Sequence, residues 1–76
     1  MSFTHAQQEL LEHPFTKRIY GFLAEHSRAQ TLGKIATGIK HHDVGQVHYH
    51  LTRLVDVDPP LVERNAAAYT YRVVKR

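Results

Sequence analysis

The sequence predicts an α+β fold, about four short helices followed by a two-stranded β-hairpin, in a single domain spanning residues 1–76. Three observations carry that expectation. Apolar residues recur at spacings of three and four from Phe15 to Val55, the mark of helices that bury one face. Asp58-Pro59-Pro60 ends that period. Tyr69-Thr70-Tyr71-Arg72-Val73-Val74 then alternates and is rich in β-forming residues.

Taken in order, Thr4–Glu12 reads as the first helix. Thr4 and Gln7 have capping-box spacing, and Leu10 and Leu11 supply a small apolar edge. His13-Pro14 closes it, because the residue before a proline is pushed out of the helical region. Pro14 in turn suits the first turn of a second helix, 14–26, whose inward face is Phe15, Ile19, Phe22, Leu23 and His26. Ser27–Gln30 is a polar connection, with room for a short strand at Ala29–Thr31. A third helix, 31–39, turns Leu32, Ile35, Ala36 and Ile39 inward. After the turn Lys40-His41-His42, Asp43 opens a fourth helix, 43–55, with Gln46 placed for a second capping box. Its apolar stripe is Val44, Val47, Leu51, Leu54 and Val55. Leu61–Arg64 and Tyr69–Val74 are the strands of a hairpin, 61–74, joined over Asn65–Ala68.

Composition narrows the function. The chain has no Cys, which excludes disulfides, thiolate metal sites and Cys nucleophiles. No apolar run approaches the roughly 20 residues that cross a bilayer. Met1–Leu11 lacks the basic flank and apolar run of a signal peptide. The expectation is a cytoplasmic, nucleoid-associated protein with no membrane partner. The net charge is +3, unevenly spread. Residues 1–30 balance at zero, 31–54 carry +2, 55–62 carry −2 and 63–76 carry +3. The positive excess thus falls on the last two helices and the hairpin, as nucleic-acid binding would require.

Two short helices joined by a tight turn, with a hairpin after them, follow the order of a winged helix-turn-helix. Such a motif offers its second helix to the major groove of DNA. Removing the apolar stripe of 43–55 leaves Gly45, Gln46, His48, Tyr49, Thr52 and Arg53 facing outward. Gln46 can read an adenine edge through two hydrogen bonds, and His48 can donate to a guanine acceptor. Tyr49 can reach a phosphate or pack on a thymine methyl, and Gly45 permits close backbone approach. Thr31, Lys34, Lys40, Arg64 and Arg72 are the expected phosphate contacts, which carry affinity without sequence information. The function expected is sequence-specific binding of double-stranded DNA by a repressor-like transcriptional regulator. The alternative is a module that docks another protein, for which exposed Tyr20, Tyr49, Tyr69 and Tyr71 would serve.

Residues 11–25, Leu-Glu-His-Pro-Phe-Thr-Lys-Arg-Ile-Tyr-Gly-Phe-Leu-Ala-Glu, resemble the opening helix of ArsR-like winged-helix regulators. Val47-His48-Tyr49-His50-Leu51-Thr52-Arg53-Leu54 is similar to their recognition helix, and Leu61–Arg64 with Tyr69–Val73 to their wing. The likeness covers about residues 11–74. It implies a DNA-binding regulator in which His50 is half-buried. Relatives of this kind commonly dimerise through a helix after the wing. This sequence ends at Arg76, so the expectation is either a homodimer through the helix at 4–12 or a monomer.

Four of the seven histidines, His41, His42, His48 and His50, lie within ten residues. They do not read as a metal site. His48 and His50 are two apart, about 200° around a helix, and cannot face one ion together. No cofactor is expected. Nor is catalysis, since nothing supplies a nucleophile with an oriented base, a glycine-rich phosphate loop or paired carboxylates. Asp56 and Asp58 read as solvated loop residues.

Overall fold

Every helix of this chain begins on a side chain that accepts a backbone N–H the helix itself leaves unpaired. The computed structural model describes residues 3–74. In α1 (His5–Glu12) the Thr4 hydroxyl accepts from Gln7 N–H at 3.2 Å and the Gln7 amide oxygen accepts from Thr4 N–H at 2.9 Å, a complete capping box. In α2 (Pro14–Glu25) the cap is the His13 ring, whose Nδ1 accepts from Phe15 N–H at 3.2 Å. Thr31 caps α3 (Leu32–Gly38) and Asp43 caps α4 (Val44–Asp56). Three strands complete the order: β1 (Gln30–Thr31) before α3, then β2 (Val62–Asn65) and β3 (Thr70–Val73).

Among the described residues the architecture is α+β, four helices with a three-stranded antiparallel sheet. The sheet order is β1-β3-β2, so the returning arm of the hairpin is its centre. Val62 lies opposite Val73 and Arg64 opposite Tyr71. Gln30 lies opposite Tyr71 and Thr31 opposite Thr70. The core draws Ile19 and Leu23 from α2, Ile35 and Ala36 from α3, and Val47, Leu51 and Leu54 from α4. Ile39 joins from the turn, and Leu61, Val62 and Tyr71 join from the hairpin. Backbone bonds from Leu61 N–H to Leu54 C=O and from Val74 N–H to Leu61 C=O, both 3.0 Å, fasten the hairpin to the end of α4.

Several expectations are corrected. The sheet has three strands rather than two, because Gln30 and Thr31 find free backbone partners on β3. Tyr71 is buried rather than exposed, since the strand period turns it inward with Val62 and Val73, and Tyr20 is half-buried against Phe3. His26 leaves the apolar face of α2: the helix stops at Glu25, and the exposed His26 ring caps back onto the Phe22 carbonyl at 2.6 Å through Nδ1. Val44 stands in the first turn of α4, beyond the reach of the core, and is 44% exposed. The second capping box forms by half: Asp43 Oδ1 accepts from Gln46 N–H at 3.2 Å, and the Gln46 side chain makes no return bond among the described residues. Tyr69 precedes β3 with a left-handed backbone, φ 54°, instead of starting the strand.

Candidate nucleic-acid interface

The turn between α3 and α4 fixes how the two helices meet. Lys40 N–H donates to Thr37 C=O at 3.1 Å, and His41 N–H donates to Ala36 C=O at 3.0 Å. That pair of bonds is a Schellman motif, with Lys40 at its left-handed position, φ 57°. Glycine is the usual occupant there, because a Cβ crowds the following carbonyl. The Arg18 guanidinium reaches across from α2 and donates to the Ile39 carbonyl, so the turn is tied to the second helix as well. Sequence reasoning left Arg18 out of the site, although a cation near a helix C-terminus is a favourable partner for its free carbonyls. Lys40 is thereby held exposed at the apex of the turn.

From the turn, α4 runs with its apolar stripe inward and a polar face in solvent. Gly45, Gln46, His48, Tyr49 and Arg53 are exposed, and Thr52 is half-buried. Tyr49 is the most open of the helical aromatics, 59% exposed. Gly45 has a local reason beyond a close approach: a Cβ there would come within 3.2 Å of Asp43 Oδ1 and press on the cap. The third-helix residues Thr31 and Lys34 are exposed, and the Thr31 hydroxyl is engaged by Lys34 N–H at 3.2 Å. The pairing of Thr31 with Thr70 brings the start of α3 against the hairpin. Arg64 is exposed on β2. Arg72 is exposed on β3, but its Nε already donates to Glu63 Oε1 at 2.5 Å across the strands. That pair leaves Arg64 as the cation of the two strands without an ion-pair partner among the described residues.

Beneath this face lies a junction of rings that the sequence reading did not assemble. His13, the exposed cap of α2, meets His50 of α4 at a tilt, with centroids 5.0 Å apart and 34° between the ring planes. Phe15 stands edge-on to His50 at 4.8 Å and packs His41 at 4.5 Å. Tyr49 stands edge-on to His50 at 5.1 Å. The Thr16 hydroxyl, fully buried, lies 3.4 Å from His50 Nδ1. Burial lowers the His50 pKa below the ordinary imidazole value, and His13, Arg53 and His41 push it the same way. Among the described residues, His41 Nε2 is buried without a hydrogen-bond partner. Among the described residues no three His, Cys, Asp or Glu side chains are disposed to hold a metal ion. Among them too, no helix is long and apolar enough to cross a membrane.

Compared with protein-family models, with curated proteins and with solved structures, the chain matches none.

Proposed function

We propose that this chain is a winged helix-turn-helix domain that binds duplex DNA by sequence and acts as a transcriptional regulator of the ArsR-like kind. The observation that carries the reading is the exposed polar face of α4, set on α3 by a Schellman turn with a lysine at its apex. In this reading α4 enters the major groove, and Gln46 and His48 meet base edges from its first turns. Lys34, Lys40 and Arg64 contact phosphates. Tyr49 reaches the groove wall.

The test is a titration against duplex DNA libraries at two salt concentrations. Binding should weaken steeply with salt, since each phosphate neutralised contributes roughly −0.9 to the log–log slope. Gln46→Ala should relax sequence choice by about 1–3 kcal/mol at one base pair, while Lys40→Ala should weaken all sequences alike. Affinity indifferent to salt would overturn the reading.

A second reading has its own support. Val44, Tyr49 and Tyr69 are the exposed large apolar side chains of the described residues, at 44%, 59% and 70%. Tyrosines of this kind suit a protein partner. Amide shifts that bypass residues 43–55 when DNA is added would favour it.

A further inference from the structure

Four elements meet at one ring. His13 closes the α1–α2 corner, Phe15 opens α2, His41 follows α3, and His50 lies midway along α4. This is where the helix proposed to read DNA rests on the rest of the chain. One of these contacts needs a lone pair on the ring nitrogen. His13 Nδ1 caps α2 by accepting the Phe15 N–H, and a protonated ring has no lone pair left to accept it. A cation at that spot also opposes the positive end of the α2 dipole. His50 lies 5.0 Å from His13, ring to ring, so a second charge would meet the first at close range. His41 Nε2 is buried without a hydrogen-bond partner among the described residues, so that ring adds no polar contact through this nitrogen.

Among the described residues, the charged groups that act on His50 are cations or imidazoles, not carboxylates. From α4 comes Arg53, a cation, and the Tyr49 ring; from α2 comes the Thr16 hydroxyl, which is uncharged; from the turn comes His41. The ion pairs among the described residues, His5–Glu9 and Arg72–Glu63, lie elsewhere. The surroundings of His50 hold it neutral below the pH at which a free imidazole titrates.

We propose that the His13–His41–His50 junction around Phe15 makes DNA binding pH-responsive, by releasing α4 from α2 in mildly acidic solution. The inference rests on the DNA-binding reading above, and its sign separates it from simple electrostatics. A plain cationic surface gains positive charge as the pH falls, and so binds a polyanion more tightly. Release of α4 does the reverse, because base-reading side chains on a loosened helix lose their register.

The experiment compares the full chain with the His13→Asn/His50→Gln double variant, on one duplex at fixed salt, from pH 7.5 to 5.5. Asn keeps a capping oxygen and Gln keeps a polar group toward Thr16, but neither titrates. Wild-type affinity should fall across this range, because the released form takes up the extra proton first and acid draws the population toward it. The variant should bind more tightly across the same range. Wild-type affinity that holds level or rises, or a variant that weakens in parallel, overturns the proposal. The junction is also read without DNA, by following the ring protons of His13, His41 and His50 and the amides of 47–54 in the wild type. These amides should shift with the same midpoint as the His50 ring. Rings that titrate while the α4 amides stay still overturn the proposal even where the double variant does not fold. If the wild type binds no duplex at any pH, the DNA reading fails, and this second measurement alone judges the junction.

Discussion

Lys40 occupies a backbone conformation that glycine adopts at no steric cost, and it is exposed there. A left-handed non-glycine residue costs roughly 1 kcal/mol. Lys40→Gly should therefore raise thermal stability by about that amount while weakening duplex binding, with unfolding and titration measured on the same preparation. A variant that loses both would show the lysine to be structural. Gly38 is the opposite case. Its missing side chain makes room for the Phe22 ring, into which a Cβ would collide. Gly38→Ala must move that ring or part α2 from α3, at a cost of about 1–3 kcal/mol by denaturant unfolding. Neither position is visible in a pattern of apolar spacing. A glycine at the end of a helix reads as a cap, and a lysine in a turn reads as a solvated charge.

At the scale of elements, the helices were legible and the links between them were not. Apolar spacing marked the inward faces of α2, α3 and α4, and Thr4, Thr31 and Asp43 marked where three helices start. Periodicity reports only what one helix presents. It says nothing of Gln7, which is fully buried although polar. Its side-chain nitrogen donates to the Pro59 carbonyl at 2.5 Å, while its oxygen receives Thr4 N–H. The same amide thus caps α1 and binds that helix to the loop after α4. Gln7→Leu would strand both partners, at about 1–3 kcal/mol, and would speed hydrogen exchange in α1 ahead of α4. Equal loss of protection in both helices would mean that α1 is not a separately docked unit. The candidate site was legible in the same degree. Outward positions on α4 follow from subtracting its stripe, whereas the Glu63–Arg72 pair and the ring junction depend on residues 9 and 37 positions apart along the chain.

For the molecule as a whole, burial of imidazole sets a pH dependence of stability. The His50 pKa is lowered in the folded state, by burial first and then by His13, Arg53 and His41, while the unfolded chain titrates near 6.5. The unfolded state therefore binds the proton first. The contribution of neutral His50 is complete above about 6.5 and is lost as the pH falls below that value toward the lowered folded pKa. The melting temperature should be level between neutral and mildly alkaline pH and decline in mildly acidic buffer, and the His50→Gln variant should flatten that decline. A melting temperature that rises on acidification would contradict the burial of this ring.

The order of the sheet has a consequence for how the chain is made. Synthesis delivers β1 first, then β2, and last the strand that lies between them. Until residues 70–73 leave the ribosome, neither earlier strand has a neighbour to pair with, and the start of α3 has no sheet to hold it. The helices can gather as they emerge, but the hairpin and the segment before α3 close in a single late event. A released chain cut within residues 66–69 would carry four helices and no sheet.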